Sequence, residues 1–512
     1  MHEPVAASVS ERRSSADPVT AVVLAAGEGT RMRSATPKML HRIAGRTLVE
    51  HAVRAVAGLD PAHLVVVVGH GRQAVVGHLD GVAVEVGRKI TTAVQAQQRG
   101  TGDAVACALA ELPATLGGTV LVTYGDVPLQ DTPMLRELLT EHSAAGNAVT
   151  VLTAVVGDPA GYGRVVRDAA GAVTRIVEHR DADAEQLAIT EINSGIYAFD
   201  AAVLGDTISR LSTGNAQGEQ YLTDVLSLAR DDGHRVGALL CSDTWLVEGV
   251  NDRVQLASLG AELNRRLVEH WMRAGVTVID PATTWLDADV ELARDVVLEP
   301  GVQLRAGTVV GEGAVIGPDC TLSGCTVGAG ASVVRTHGAQ AEIGEGASVG
   351  PFAFVRPGTK LGAKGKVGTF VETKNAEIGA GTKIPHLSYV GDATIGAQTN
   401  IGAATVFVNY DGVNKHHTVV GSYARTGSDN MFVAPVTIGD GAYTAAGSVI
   451  TQDVPPGAMA VARARQRNIE GWVARKRPGT AADDAARRAL EAAPATESDK
   501  SGNTGGGTES GE

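Results

Sequence analysis

From Leu298 onward an aliphatic residue tends to return at every sixth position, as Leu298, Leu304, Val310, Ile316 and Leu322, often followed by glycine and with a small residue four places on. A period of six matches neither the 3.6-residue repeat of an α-helix nor the two-residue alternation of an ordinary strand. It predicts a parallel β-helix, in which three short strands complete a coil of roughly 18 residues and the aliphatic side chains stack inward as one continuous core. The register is lost and regained through Ile343, Val349, Val355, Leu361 and Val367, then Ile378, Ile384 and Val390, then Ile395 and Ile401, and finally Val420, Thr426, Phe432, Ile438, Thr444 and Ile450. Chance patterning in a glycine-rich loop region does not recover its register so often. Breaks at 370–377 and 405–418 predict loops on one face of the solenoid.

The first half follows a different rhythm. Short aliphatic runs at Ala21 to Ala25, Leu64 to Val68, Val120 to Val122 and Ala148 to Leu152 alternate with helical patterns at Thr47 to Ala57 and Asp103 to Leu112, which predicts a parallel α/β sheet. Ligands of such sheets sit at the carboxyl ends of the strands. Between the halves, Val254, Leu259, Leu263, Leu267 and Trp271 lie on a broadly helical spacing and predict an amphipathic linking helix. The chain thus divides into an extension over 1–18, an α/β domain over 19–250, the linking helix over 251–275, the β-helix over 276–477 and a tail over 478–512. Both ends lack periodicity, and the tail from about Thr480 is rich in Ala, Asp and Glu, then in Gly, Ser and Thr, so both are expected to be disordered.

Composition narrows the partners. The 512 residues include 63 glycines and only 4% aromatics, which suits a tight solenoid, and the net charge of −13 argues against a general nucleic-acid binder or a protein that adheres to acidic membranes. Small molecules are the expected ligands. Cys107, Cys241, Cys320 and Cys325 show no CxxC pair and no zinc spacing, so they are expected to be reduced packing residues. No leader-like apolar core and no apolar run long enough to span a bilayer occur, which predicts a cytoplasmic protein without membrane insertion.

Candidate chemistry begins where the first strand runs into Ala25-Ala26-Gly27-Glu28-Gly29-Thr30-Arg31-Met32, followed by Pro37-Lys38. Glycines in a strand-to-helix turn let backbone N–H groups approach phosphate oxygens, and Arg31 and Lys38 bring positive charge to a triphosphate. A bare G-x-G after a strand also occurs in ordinary tight turns, and it fits neither the Rossmann fingerprint nor a Walker loop. The longer string G-x-G-T-R-M with its Pro-Lys resembles the sugar nucleotidyltransferases. Gln95 with Gly100-Thr101-Gly102, Tyr124-Gly125-Asp126-Val127-Pro128, Gly161-Tyr162-Gly163-Arg164, Glu178-His179, Glu191-Ile192-Asn193-Ser194-Gly195 and Glu248-Gly249-Val250-Asn251 extend the resemblance.

Together with the hexapeptide half, these segments resemble the family of bifunctional N-acetylglucosamine-1-phosphate uridyltransferases and glucosamine-1-phosphate acetyltransferases, from about Val19 to Arg477. That resemblance implies a Rossmann-like α/β nucleotidyltransferase domain, a linking helix and a left-handed parallel β-helix. It implies that Ala25, Ala26 and Gly27 hold the nucleotide, that Arg31 and Lys38 sit by its phosphates, and that Gln95, Gly100 and Thr101 read the uracil. Gly163, Glu178 and Asn193 match positions that hold the N-acetylglucosamine moiety, with Asn251 shared by nucleotide and metal. Asp126 closes an apolar run, which sets its carboxylate at a strand end where Mg²⁺ bridges to phosphate oxygens, and Asn251 is the implied second ligand. Read singly, Asp126 is equally a turn residue before Pro128, Asn251 a helix N-cap and Glu178 a solvated charge.

For the second site, acetyl transfer from acetyl-CoA needs a base to take the proton of the attacking amine. His386 suits that role, although an isolated histidine is more often structural, the class to which His416 and His417 are assigned. The acetyltransferase resemblance implies that Arg356, Lys374, Tyr389 and Asn400 bind the sugar phosphate. It implies Ala403, Asn409, Tyr410, Ser428, Ala446 and Arg463 for acetyl-CoA and the reacting amine, with Lys415 nearby. In Ile401-Gly402-Ala403-Ala404 an alanine stands where the pattern often has a second glycine, which questions the local backbone. The class also implies a homotrimer with sites between subunits. Two rivals are a β-helix that only regulates or oligomerises, opposed by His386 and Asn409-Tyr410, and a wholly non-catalytic scaffold, opposed by Lys38, Asp126 and Asn251.

Overall fold

The structure is a computed structural model and describes residues 18–493. The extension over 1–17 and the end of the tail, 494–512, lie outside the described residues. Contacts divide the chain into two units, the first ending at Ala460 and the second beginning at Val461.

The N-terminal domain is built on strands β1 (Val19–Ala25), β2 (His63–Val68), β3 (Thr91–Val94), β4 (Thr119–Tyr124), β5 (Val149–Val155), β6 (Glu191–Asp200) and β7 (Val236–Leu240). Their order across the sheet is β7-β5-β6-β4-β1-β2-β3, with a hairpin of Arg164–Arg167 and Val173–Val177 beside β6. The central strands read as continuous aliphatic runs because both faces are covered: Ala21, Val23 and Ala25 enter one core while Val22 and Leu24 enter the other. Helices α1 (Leu48–Ala57), α2 (Thr101–Ala110) and α3 (Thr132–Ala145) supply much of that cover. Thr47 starts α1, its side chain accepting from Glu50 N at 3.2 Å.

One expectation needs correction here. The sheet is mixed rather than parallel, since β6 runs antiparallel to both β4 and β5. The polar residues of Glu191 to Ser194 mask the start of this strand. Its second half, Ile196 to Phe199, is fully buried.

Helix α4 (Arg253–Arg273) follows, capped by Asp252, whose carboxylate accepts from Val254 N and Gln255 N, both at 2.9 Å. Glu262 on α4 bonds Arg265 and Arg266, and Arg266 reaches Asp243, fastening the helix to the preceding segment.

The repeat half is a left-handed parallel β-helix whose strands pair in parallel with their counterparts one coil on. Every aliphatic position of the six-residue register is buried, from Leu298 to Ile450, and all belong to one core. Removing one such side chain from water contributes about 1.5–3 kcal/mol. Coils approach so closely beside this core that side chains are excluded at particular points: a Cβ on Gly362 would lie 2.6 Å from Ala380 N, and one on Gly379 2.6 Å from Ala397 N.

Three further expectations change. Residues 370–377 form no loop; Glu372–Ile378 is a strand, and the coil is simply one residue shorter, pairing Val355 with Thr373 but Leu361 with Ile378. Lys374 is therefore a strand residue. Only the second break is an insertion, a loop around Tyr410 to His417 closed by a bridge between Tyr410 and Lys415. The last coil strand is Met459–Ala460, short of 477. Finally, the tail expected to be disordered from 478 contains helix α5 (Ala481–Ala492), capped by Thr480 and braced by Asp483 and Arg487. Its alanines favour a helix without any buried face, and periodicity gave no sign of it.

Candidate functional site

The glycine turn after β1 lies where β1 and β4 end side by side. Gly29 adopts a left-handed φ of 65°, and a Cβ there would lie 2.5 Å from Lys38 Cβ, so the turn closes only around a bare backbone and folds Lys38 inward. Lys38 is nine-tenths buried. Its ammonium is bonded to the Asp126 carboxylate and lies 3.4 Å from Asn251 Oδ1, which also accepts from Arg31 Nη2 at 2.9 Å. Val250 N donates to Asp126 O at 2.8 Å, and this short bridge carries Asn251 to the end of β4. The N-cap reading of Asn251 fails because Asp252 takes that role.

The Asp126 carboxylate and the Asn251 carbonyl oxygen, both hard oxygen donors, thus converge on a single cation. They fit a divalent metal that shares its remaining positions with phosphates and water. Among the described residues no three His, Cys, Asp or Glu side chains gather as a metal cluster.

Two cavities flank these residues. One of about 250 Å³ is lined by Ala26, Gly27, Gln95, Gly100 and Thr101. Gly27 has open space where a Cβ would project. Gln95 is held by Gly100 O at 2.9 Å and Asp103 Oδ2 at 2.8 Å, and Thr101 Oγ1 accepts from Leu222 N at 3.0 Å. Ala25, the last residue of β1, is buried beneath them. The second cavity, about 270 Å³, is lined by Gly163, Glu178, Asn193, Tyr124, Asp126 and Asn251 among others. Burial pushes the Glu178 carboxyl above its ordinary value, partly offset by Thr223, whose hydroxyl lies 3.4 Å away. Glu178 is thus a cavity residue rather than a solvated charge. Asn193, which also lines this cavity, accepts through Oδ1 from Gly195 N at 2.8 Å and Tyr197 OH at 2.9 Å. Tyr124, which lines both cavities, and Thr223, which lies beside the Glu178 carboxyl, carried no role in the sequence reading.

In the β-helix, His386 follows the buried Ile384 on a short strand and is exposed, with no partner for its ring among the described residues. Its neighbours are ordered by the coils. Thr369 pairs with His386, His386 O accepts from Ala404 N, Ala403 O from Asp429 N and Ser428 O from Gly447 N. Consequently His386, Ala403, Ser428 and Ala446 share one corner in successive coils. Ala404 has φ 57°, so the alanine that departs from the glycine pattern adopts the strained left-handed conformation. A second file holds the polar side chains. Arg356 N donates to Thr373 O, Arg356 Nη1 bonds Glu372 at 2.7 Å, and Glu372 pairs with Tyr389. Lys374 lies next along the same strand, and Lys415 sits close enough for Lys374 to push its ammonium below the ordinary value. Asn400 is half-buried between Lys383 and Arg425.

In the inserted loop, Asp411 accepts from Val413 N, Asn414 N and the His416 ring, which holds its carboxyl down at about 2, the His416 bond weighing most. His417 bonds Thr394 at 2.9 Å, so both histidines are structural. Tyr410 is exposed and its hydroxyl donates to Gly412 O at 2.7 Å. Asn409 is buried and bonded to Asp392, a residue the sequence reading passed over. Arg463 belongs to the second unit and is exposed. Cys241, Cys320 and Cys325 are buried and Cys107 partly so, all free, as expected of packing residues.

Comparison with known proteins agrees with this two-centred arrangement. The nucleotidyl transferase family model matches residues 20–287. The bifunctional protein GlmU of Nocardia farcinica is 63% identical over 473 residues, covering 92% of this chain and 96% of that protein. Its counterpart from Kineococcus radiotolerans is 62% identical over 483 residues, covering 94% and 96%. A third, from Streptomyces avermitilis, is 61% identical over 470 residues, covering 92% and 97%. With relatives this similar along nearly the whole length of both domains, the chain belongs to the family of bifunctional GlmU proteins.

Proposed function

We propose that the chain makes UDP-N-acetylglucosamine in two steps at two separate centres: the β-helix acetylates glucosamine 1-phosphate with acetyl-CoA, and the N-terminal domain joins the product to UMP from UTP with release of pyrophosphate. The observation that carries the first centre is the convergence of Lys38, Asp126, Asn251 and Arg31 at the mouth of two adjoining cavities.

At this centre a sugar phosphate oxygen attacks the α-phosphorus of UTP, so two polyanions must be brought together and no general base is required. Asp126 and Asn251 would hold Mg²⁺, which supplies neutralising charge between the phosphates when bound. Arg31 and Lys38 add fixed positive charge, the backbone around Ala25, Ala26 and Gly27 receives the nucleotide, and Gln95, Gly100 and Thr101 face its base. Gly163, Glu178 and Asn193 form the sugar end of the second cavity.

At the other centre the sugar ammonium first releases one proton to solvent, and the exposed imidazole of His386, unpartnered among the described residues, takes the second from the nitrogen as it attacks. The amine bonds to the thioester carbonyl carbon, the C–S bond breaks, and the proton held by His386 passes to the departing thiolate. Arg356, Lys374, Tyr389 and Asn400 receive the sugar phosphate, with Asn409 and Tyr410 beside the amine. Ala403, Ser428 and Ala446 lie along the His386 corner and suit a CoA chain laid lengthwise on the solenoid. Omitting glucosamine 1-phosphate, acetyl-CoA, UTP or Mg²⁺ singly from a reaction with the purified protein tests both assignments. Omitting UTP or Mg²⁺ must abolish uridyl transfer alone, whereas omitting glucosamine 1-phosphate or acetyl-CoA must abolish acetyl transfer and, until N-acetylglucosamine 1-phosphate is supplied, uridyl transfer with it.

The active assembly is a homotrimer in this reading. Phe352, Phe370 and Leu387 stand 52%, 59% and 59% exposed in successive coils beside the His386 corner, with the two phenylalanine rings stacked 5.5 Å apart. Such an apolar ridge next to a catalytic histidine suits a second copy of the chain. Sedimentation of a fully active monomer would refute it. Among the described residues no helix is long and apolar enough to cross a membrane, in keeping with a cytoplasmic enzyme of small substrates.

A further inference from the structure

One rung of the solenoid is polar where the repeat calls for nothing. The coils join Lys374 to Gly391 and Tyr389 to Val406, which aligns Asn375, Asp392 and Asn409 at one position in three successive turns. Asp392 is the middle rung. Its Oδ1 accepts from Asn375 Nδ2 at 2.8 Å and its Oδ2 from Asn409 Nδ2 at 2.5 Å. Only 9% of Asp392 is exposed. Burial works against its charge, but the two amides, with Lys374 and Lys415, outweigh burial and hold the carboxyl below its ordinary value. Asp392 also adopts a left-handed φ of 49°, a conformation aspartate tolerates but does not favour.

An ionised carboxylate accepts hydrogen bonds and donates none. It therefore decides which way round the Asn409 amide sits. The Asn409 NH₂ has two hydrogens; one goes to Asp392 and the other faces the Tyr389 hydroxyl at 3.3 Å. Gly391 leaves room for this meeting, since a Cβ there would strike the Tyr389 hydroxyl and lie 2.9 Å from Asn409 Nδ2. With both side-chain N–H groups engaged inward, the side-chain carbonyl oxygen of Asn409 is the carboxamide atom left over, and no hydrogen bond to it occurs among the described residues. A neutral carbonyl oxygen is a fitting acceptor for an attacking amine: it orients an N–H without stabilising the unreactive ammonium as a carboxylate would.

We propose that Asp392 is a positioning residue of acetyl transfer, which locks the Asn409 carboxamide with its oxygen presented to the sugar amine. This rests on the acetyltransferase reading of the site, and Asp392 itself touches no substrate.

The test is a double-mutant cycle in the full-length protein with Asp392→Asn, Asn409→Ala and the pair, reading kcat and KM for acetyl transfer and, on the same preparations, uridyl transfer as the measure of folding. The isosteric Asp392→Asn lowers acetyl-transfer kcat by about tenfold to a hundredfold while KM for acetyl-CoA stays within about twofold, because orientation rather than cofactor binding is lost. On the Asn409→Ala background the same change has no further effect, since there is no amide left to orient. Multiplicative losses in the pair, or kcat unchanged in Asp392→Asn, would overturn the proposal. Should Asp392→Asn fail to fold, Asn375→Ala decides: it removes the other donor but keeps the Asn409 bond, so acetyl transfer stays within about threefold. A loss as large as that of Asn409→Ala would mean that the whole rung is scaffolding and would also overturn it. Failure of the wild-type protein to transfer acetyl at all would instead strike the underlying reading.

Discussion

The Lys38 ammonium is bonded to the Asp126 carboxylate, at the point where Asn251 also turns its carbonyl oxygen. A lysine so placed competes with a metal ion for the same two oxygens, and a triphosphate would draw it away. Replacing Lys38 by alanine should therefore have two opposite effects. Uridyl transfer falls by on the order of a hundredfold or more, as for other single charge-stabilising groups. Binding of Mn²⁺ to the nucleotide-free protein, followed by calorimetry, becomes tighter than in the wild type. Unchanged or weaker metal binding would contradict the competition.

Gly29→Ala examines the cradle by geometry alone. With φ at 65° and a Cβ 2.5 Å from Lys38, the alanine must displace either the turn or the lysine. We expect at least about a tenfold loss of uridyl transfer with acetyl transfer intact. Steady-state assays of both half-reactions check this, and equal losses in the two would mean general unfolding.

Much of this architecture was legible from spacing. A six-residue period survives in sequence because every coil buries the same position, and the structure buries each of those residues. Lys38, Asp126 and Asn251 were legible as residue types at strand and helix ends, but their meeting depends on the Val250–Asp126 bridge, a contact between distant segments that no local pattern encodes. Lys374 was misassigned to a loop because a coil shortened by one residue and a coil interrupted by an insertion break periodicity in the same way. Asp392 was missed for a related reason. Its partners Asn375 and Asn409 lie one coil away on either side, and nothing in the linear string around it marks the rung. In the tail, α5 forms through alanine propensity, with Leu490 exposed, so a search for buried faces passes over it.

His51 gives the N-terminal domain a pH dependence of known sign. Burial lowers its imidazole to about 4, its ring bonding Ile43 O at 3.0 Å. Between that value and the ordinary 6.5 the unfolded chain binds more protons than the folded one, so this contribution to stability is present at neutral pH and lost as pH falls through the window. His51→Gln keeps a side-chain donor but cannot titrate. Melting curves at pH 5 and 7 should show a smaller acid-induced drop in Tm for the variant, and an equal drop would assign the effect elsewhere.

The central claim is that two independent centres share this polypeptide, and one pair of variants tests it most directly. Both half-reactions are measured on His386→Ala and on Asp126→Ala. The account predicts that the first loses acetyl transfer and keeps uridyl transfer within about twofold, and that the second does the reverse. Loss of both activities from either variant, in a protein that melts like the wild type, would contradict it.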